Sequence, residues 1–282
     1  MSHAYLTPLR CGWFYTFRGF CGLIFFFLAA PLLVIIPLSF NAEPYFLFTR
    51  KMVHLDPAGF SLQWYASFLG NDQWDLAIGN SMIIAVCSTA LATLLGTVAA
   101  LGLSRSVMPL RMLIMSLLIS PMIVPLIISG AGMYFFYSGI HLVHTLPGII
   151  LAHATLGAPF VVITVTATLI GFDHTLTRAS ASLGARPVTT LSKVIVPLIL
   201  PGVISGALFA FVASFDEVVV VLFLAGYGQR TIPLQMWSGI REQLSPTILA
   251  VASLLILVSI LLMLMLELLR RRNERLRGIT LS

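Results

Sequence analysis

Charged residues are scarce in this chain of 282 residues, because Asp, Glu, Lys and Arg together make up only 9% of it. Soluble domains carry about 25% charged residues. Apolar residues account for 59% of the sequence, and the mean hydropathy is +1.01. A chain of this composition has too few polar side chains to cover a water-soluble core. The composition therefore excludes a soluble protein and indicates an integral membrane protein.

Cysteine, lysine and the common metal-binding motifs are also rare or missing. Cys11, Cys21 and Cys87 are scattered and form no Cys-x-x-Cys pair, so we expect free thiols and neither redox nor zinc chemistry. Neither Lys51 nor Lys193 belongs to a Gly-x-x-x-x-Gly-Lys-Ser/Thr loop, so the chain lacks the phosphate-binding loop of an ATPase. No His-Glu-x-x-His motif is present, and we expect no metal ion.

Long apolar runs predict the membrane spans, since a helix needs roughly 20 apolar residues to cross the hydrocarbon core. Uncharged runs of this length are Phe20–Phe40, Leu76–Ser104, Met112–Ile140, Thr145–Phe172 and Leu244–Leu266. A sixth run, Val194–Gln229, is interrupted only by Asp216 and Glu217. We therefore predict an all-α integral membrane protein, with a single domain over residues 1–282. Its six transmembrane helices are expected at about residues 20–40, 76–103, 112–137, 145–170, 198–225 and 246–269.

Basic residues are distributed unevenly between the two sides of these predicted spans. With both termini on one side, that side holds 12 of the 16 Lys and Arg residues: Arg10, Arg18, Arg105, Arg111, Arg178, Arg186, Lys193, Arg270, Arg271, Arg272, Arg275 and Arg277. Because short cytoplasmic segments collect Lys and Arg, this side is expected to be the cytoplasm. The cluster after the last run is expected to lie against anionic headgroups, so the net charge of +6 does not indicate nucleic-acid binding.

Proline and small residues predict how these spans bend and pack. Pro121 and Pro125 lie in one run, and because each removes a backbone hydrogen bond, we expect the third span to bend. Small residues recur at four-residue spacing, which lets helix backbones approach closely. They are Ala92, Gly96 and Ala100 in one series and Gly202, Gly206 and Ala210 in another. His153, in the fourth run, is expected to form a hydrogen bond between packed helices.

The loop between the fourth and fifth spans has a pattern of capping residues. It reads GFDHTLTRASASLGARPVTTLSK over residues 171–193. Asp173 is placed to cap a short helix over His174–Leu183, and Gly184 is placed to end that helix in the left-handed conformation. Pro187 can open a second helix at its first position.

Two interpretations of this loop remain open on the residues alone. The first helix carries only small side chains over residues 179–182, which leave room for a close neighbour. The segment is then either a flexible alanine-rich loop or a docking element for a cytosolic partner, with Arg178 and Arg186 as exposed charges. Pro197 and Pro201 are expected to redirect the chain from this loop into the membrane.

The stretch resembles the EAA loop of permeases in binding-protein-dependent ABC importers, a pattern of Glu-Ala-Ala, three residues and Gly, followed by apolar residues and prolines. The matching positions are Arg178, Ala179, Ser180, Gly184, Leu191, Ile195, Pro197 and Pro201. Arg178 stands in place of the family's Glu, and Ser180 in place of its second Ala. The segments GNSMIIAV, SPMIVP and GALFAFVASFDEVVVVLFLAG resemble the spermidine/putrescine branch of the family, in particular its second permease subunit.

The resemblance implies the architecture of a type I ABC importer permease, with a coupling loop at residues 171–193. Contacts with a cytosolic ATPase dimer are implied for Arg178, Ala179, Ser180, Leu183, Gly184, Ala185 and Pro187. It also implies a second, different permease subunit, an external substrate-binding protein, and a place in the bacterial inner membrane with both termini cytoplasmic. ATP and Mg²⁺ then belong to the partner ATPase, and this chain is expected to bind no cofactor and to catalyse no reaction.

Asp216 and Glu217 are acidic residues within an apolar run. Each would cost about 2.5–3.5 kcal/mol at mid-bilayer, so both are expected to face protein or water. Successive helical residues point about 100° apart, so one carboxylate can line a substrate pathway while the other pairs or caps. A structural alternative is a helix break with the carboxylates paired to Arg230, to Arg241 or to partner subunits.

These features favour a permease subunit of an ATP-driven importer for a small solute, and the resemblance implies a polyamine such as spermidine or putrescine. The alternative is a stand-alone secondary carrier for a small cationic solute. Against it, the apolar runs show no obvious inverted repeat. An intramembrane protease using Ser205 and His153 lacks the sequence signatures of such enzymes.

Overall fold

The computed structural model describes residues 8–104, 108–173, 175–242 and 245–276. Arg105, His174 and Arg277, which belong to the predicted cytoplasmic segments, lie outside the described residues. The described ranges fold into α1 (Pro8–Leu38), α2 (Arg50–Val53), α3 (Gln63–Leu69), α4 (Asp72–Leu103), α5 (Arg111–Ile123), α6 (Leu126–Gly139), α7 (Leu146–Ile170), α8 (Thr175–Ser182), α9 (Pro187–Thr190), α10 (Val196–Phe215), α11 (Val219–Leu224), α12 (Ile232–Glu242) and α13 (Thr247–Leu276). A π turn, Leu191–Ile195, joins α9 to α10.

Several of these helices are long and apolar enough to cross a membrane. Among the described residues there are four such segments, Gly12–Leu38, Asp72–Leu103, Leu146–Ile170 and Pro187–Phe215. The pair α5 and α6 adds a fifth if it forms one span, and α13 begins with the shorter apolar segment Thr247–Leu261. The predicted all-α membrane architecture is confirmed, whereas the count of six spans stays a prediction.

One of two compact units contains α1, α2, α3 and α13. In this unit the hydroxyl of Tyr65 lies 2.6 Å from Ser39 Oγ and 2.7 Å from Ser253 Oγ. Trp64 Nε1 donates a hydrogen bond of 2.7 Å to the carbonyl oxygen of Asn41. These bonds hold α3 against the end of α1 and against α13, so the segment between α1 and α4 is a folded element.

The other unit contains α4 to α11, with its core where α4, α7 and α10 pack together. The small residues predicted to allow close packing lie in this core. A Cβ added at Gly96 would lie 2.7 Å from Val161 Cβ, and one added at Gly206 would lie 2.7 Å from Val161 Cα. Ala92 and Ala210 are buried nearby. Because such distances leave no room for a side chain, the predicted close packing is confirmed.

The third apolar run bends far more sharply than a proline kink. It was predicted as one span over residues 112–137, but it forms α5 and α6, which meet at an angle of 104°. Val124, between them, is extended, with φ −66° and ψ 131°. Pro125 explains this conformation, because a proline pushes the preceding residue out of the helical region and donates no backbone hydrogen bond. The predicted bend is confirmed, and its position is Val124–Pro125.

The run Val194–Gln229 also differs from the prediction of one helix over residues 198–225. Helix α10 ends at Phe215 and α11 begins at Val219, so the run is divided at the two acidic residues. No proline or glycine lies at this break. Its cause is the Glu217 side chain, whose contacts are described below.

The chain enters α10 without the predicted redirection at Pro197 and Pro201. Both prolines lie within one helical segment that continues from Pro187 to Phe215. The π turn just before Pro197 makes this possible. Its wider hydrogen bond, from the Val196 N–H to the Leu191 carbonyl oxygen, loosens the backbone where the proline removes a donor.

Candidate functional site

The predicted coupling loop contains a short helix with a defined beginning and end. At its start, Asp173 Oδ1 accepts the backbone N–H of Thr175 at 2.8 Å, and Oδ2 accepts the Thr175 hydroxyl at 2.7 Å. At its end, Gly184 has φ +78°, in the left-handed region. The Gly184 N–H donates to the Ala181 carbonyl and the Ala185 N–H to the Ser180 carbonyl, at 2.9 and 3.1 Å. This paired bond pattern is a Schellman motif, so the predicted roles of Asp173 and Gly184 at the ends of the helix are confirmed, whereas the predicted first residue, His174, lies outside the described residues.

A second short helix, α9, lies next to α8 and completes a helical hairpin over residues 173–190. Pro187 is its first residue, as predicted. The hydroxyls of Ser180 on α8 and Thr190 on α9 lie 2.7 Å apart. This bond connects the two helices at the position where the resembling family has alanine. We call the segment of residues 173–190 the coupling hairpin.

The coupling hairpin presents apolar side chains that the described part of the chain does not cover. Leu183 is 88% exposed and Val188 is 75% exposed, on either side of Gly184. Arg178 and Ala179 are also exposed, as are Gly184 and Pro187, whereas Ser180 and Ala185 are partly buried. An ordered hairpin with exposed leucine and valine is typical of a docking element. The assignment of these residues to an ATPase contact stays a prediction.

The second candidate site is the break between α10 and α11, where Glu217 is only 8% exposed. Its Oε1 accepts the backbone N–H of Val219 at 2.9 Å. Its Oε2 accepts the N–H groups of Val220 and Val221 at 2.8 and 3.3 Å. The carboxylate therefore caps α11 and satisfies backbone donors that a continuous helix would have used internally. This cap is the reason for the break.

Asp216 is oriented differently, because its side chain is exposed although it is the neighbouring residue. The predicted alternative of ion pairs with Arg230 is not what the described residues show. Arg230 Nη1 donates to Gln235 Oε1 at 3.3 Å, and its guanidinium carbon lies 4.9 Å from the centre of the Tyr227 ring. Glu217 thus caps a helix and Asp216 is exposed. The two carboxylates therefore have different surroundings, as their separation of about 100° on a helix predicts. A pathway role for either stays a prediction.

A chain of buried polar side chains extends from Glu217 into the helix core. His153 Nε2 on α7 lies 3.8 Å from Glu217 Oε2. His153 Nδ1 lies 2.8 Å from Ser214 Oγ on α10, and Ser214 Oγ lies 2.9 Å from Ser88 Oγ on α4. The prediction that His153 forms a hydrogen bond between packed helices is confirmed. Its proximity to Glu217, and the two serines, were missed.

A signal for this chain was present in the sequence. Ser88, His153 and Ser214 are polar residues inside apolar runs, where a polar group requires a hydrogen-bond partner. However, nothing in the sequence gives the rotation of α7 relative to α10, on which the partner depends. These three residues could therefore have been predicted to need hydrogen-bond partners, but not to contact one another.

Comparisons with known proteins agree on one family. The family described as "Binding-protein-dependent transport system inner membrane component" matches residues 92–275. The spermidine/putrescine transport system permease protein of Haemophilus influenzae is 30% identical over 261 residues, covering 93% of this chain and 98% of that protein. The putrescine transport system permease protein of Escherichia coli is 32% identical over 245 residues, covering 82% of each.

Solved structures share the fold at lower sequence identity. A bacterial ABC transporter involved in the import of the acidic polysaccharide alginate matches with a TM-score of 0.74 and 14% identity, covering 93% of this chain and 98% of that chain. An inward-facing methionine ABC transporter matches with a TM-score of 0.52 and 18% identity, covering 73% and 95%. At these identities the matches show the fold alone.

Proposed function

This chain belongs to the inner membrane components of binding-protein-dependent transport systems and is a permease subunit of an ABC importer, and we propose that its solute is a polyamine such as spermidine or putrescine. The observation that carries the proposal is the exposed Asp216 carboxylate at a break in an apolar helical run. A carboxylate that is not used in capping is free to meet a cationic amine. The named function of the similar permeases supports the same solute class.

The two acidic residues then have separate roles. Asp216 lines the pathway and attracts the cationic solute, whereas Glu217 holds the break open by capping α11. A break of this kind is useful in a pathway, because irregular backbone at membrane depth is tolerated where it lines a cavity or is buried in protein.

The coupling hairpin contacts a cytosolic ATPase dimer, which binds ATP and Mg²⁺. Exposed Leu183 and Val188 supply its apolar contact, and Arg178 supplies a charged one. A second, different permease subunit completes the pathway, and a substrate-binding protein delivers the solute from outside. The excess of basic residues in the terminal and coupling segments supports cytoplasmic termini.

A single helical segment links the two sites mechanically. It starts at Pro187 in the coupling hairpin and continues for 29 residues to Phe215, next to Asp216. At 1.5 Å per residue, this is about 43 Å of helix. A displacement of the hairpin by the ATPase is therefore transmitted as a rigid-body movement to the break, which alternates the access of the pathway between the two faces.

The test is uptake by the complete transporter, purified with its native partners and reconstituted in liposomes. Labelled spermidine and putrescine are the probes, and Asp216→Asn is compared with Glu43→Gln, an exposed acid outside the break. We expect Asp216→Asn to reduce uptake about tenfold, because one carboxylate–ammonium contact contributes roughly 1.5 kcal/mol. Glu43→Gln should leave uptake unchanged. Uptake by Asp216→Asn at the wild-type rate would remove Asp216 from the pathway.

A further inference from the structure

His153 is a buried group that the proposed function leaves unused. Its side chain is 2% exposed, in the middle of the packed helices. Nδ1 has a hydrogen-bond partner in Ser214, whereas Nε2 has none among the described residues and lies 3.8 Å from Glu217 Oε2. A buried ring nitrogen without a partner is costly, so its orientation toward a carboxylate calls for an explanation.

The contacts of Glu217 determine which nitrogen of His153 carries the proton. The carboxylate already accepts three backbone N–H groups, so it offers lone pairs and no proton to Nε2. A neutral imidazole has one donor and one acceptor nitrogen. The arrangement without lone-pair repulsion puts the proton on Nε2, facing Glu217. Nδ1 is then the acceptor of the Ser214 hydroxyl.

The two serines fit this assignment. Ser214, having donated to His153 Nδ1, accepts the hydroxyl of Ser88 at 2.9 Å. The Ser88 hydroxyl also donates to the Ala85 carbonyl oxygen, at 3.2 Å, so its proton is shared between Ser214 and this carbonyl. The chain of donors therefore runs in one direction, from α4 through α10 to α7, and ends at the carboxylate that caps α11.

We infer that His153 is a positioning residue for transport: its Nε2–H, 3.8 Å from Oε2, faces the Glu217 carboxylate and by charge–dipole attraction favours its position on the first turn of α11, away from Asp216. This inference rests on the proposed pathway role of Asp216. Glu217 follows Asp216 directly, so a carboxylate released from α11 would turn toward the pathway and add a second negative charge there. His153 thereby keeps one carboxylate in the pathway and keeps the break between α10 and α11 in place.

Replacing His153 with glutamine or with asparagine separates the functions of the two ring nitrogens. A glutamine amide nitrogen reaches about as far as Nε2 and can direct an N–H toward Glu217, whereas an asparagine amide reaches only about as far as Nδ1. His153→Gln is therefore the conservative variant, His153→Asn keeps the contact with Ser214 alone, and His153→Leu keeps only volume. Assembly with the partners and thermal stability in detergent are measured for each.

The experiment uses the complete transporter in liposomes and measures uptake of labelled spermidine and putrescine. We expect His153→Gln to transport at close to the wild-type rate, and His153→Asn and His153→Leu to lose about tenfold, because both lose the N–H group that faces the buried carboxylate. Equal loss in all three variants, or loss in His153→Gln alone, would mean that the ring serves packing or the Ser214 contact. Unchanged uptake in all three would also overturn the inference.

A second readout does not depend on the solute. Asp216→Cys is introduced where Cys11, Cys21 and Cys87 have been replaced by alanine, and the rate of labelling by a cationic thiol reagent is measured. Relative to the protein that retains His153, the labelling rate should differ in His153→Asn and be the same in His153→Gln. Equal rates in both would contradict the positioning role. If labelling follows the inference while Asp216→Asn transports normally, the failure lies in the proposed pathway role and not in His153.

Discussion

At the scale of single residues, Gly184 is a position where the backbone itself restricts the side chain. Its φ of +78° lies in the left-handed region, and a Cβ there would meet no heavy atom within 4 Å. A substitution is therefore unfavourable because of the backbone conformation and not because of a clash. The Schellman motif at this residue orients the exposed Leu183 and Val188.

We predict that Gly184→Val reduces the uptake per ATP hydrolysed, because the β-branched side chain raises the energy of the left-handed turn by about 1–2 kcal/mol. Gly184→Asn should be milder, since asparagine tolerates this conformation. The measurement is the ratio of uptake to ATP hydrolysis in liposomes. Gly171→Ala is the control, because Gly171 lies in the same loop with φ −85°. A normal ratio in Gly184→Val would remove this turn from the coupling mechanism.

At the scale of elements, the π turn Leu191–Ile195 sets the rotation of the coupling hairpin relative to α10. It contains one residue more per turn than an α-helix, and its defining bond joins Val196 N–H to the Leu191 carbonyl oxygen. Ser192 lies in this turn, and among the described residues its exposed hydroxyl has one hydrogen-bond partner, the Thr189 carbonyl oxygen at 3.4 Å. The side chain can therefore be changed separately from the backbone.

We predict that deletion of Ser192 uncouples ATP hydrolysis from uptake. Without the extra residue the turn becomes α-helical, so the Pro197 ring meets the carbonyl oxygen four residues earlier, the helix kinks at Pro197 and the hairpin rotates with it relative to α10. Ser192→Ala, which keeps the turn, should transport normally. Co-purification of the partners, ATP hydrolysis and uptake are measured for both. Normal uptake by the deletion variant would show that the rotation of the hairpin is not transmitted through this helix.

The elements also show which features can be predicted from sequence. Asp173, Gly184 and Pro187 were predicted correctly because capping depends on residues a few positions apart. One helix was predicted through Phe215, with a break at the acidic residues only as an alternative, because the apolar run contains no helix-breaking residue there. It depends on the Glu217 cap, and the neighbouring contact between His153 and Ser214 joins residues 61 positions apart. Such contacts follow from the packing of α7 against α10, which a run of apolar residues does not encode.

At the scale of the whole molecule, the chain has the architecture of a membrane permease. The family assignment makes it a permease, and the sequence contains no phosphate-binding loop for ATP. Alternating access requires contacts that differ between two states, and a ligand or partner must supply that difference. We propose that the ATPase supplies it at the coupling hairpin. The competing interpretation, a carrier driven by an ion gradient, needs no partner.

We predict that removal of the ATPase subunit abolishes uptake completely. Liposomes are prepared with the permease subunits and the binding protein, with and without the ATPase, and an imposed proton or sodium gradient is applied to both. Uptake should appear only with the ATPase and ATP, because without ATP binding nothing stabilises one orientation of the pathway over the other. An ATPase variant that binds but does not hydrolyse ATP separates assembly from turnover, since it should restore the complex and not the transport. Gradient-driven uptake without the ATPase would contradict the importer mechanism and favour the carrier.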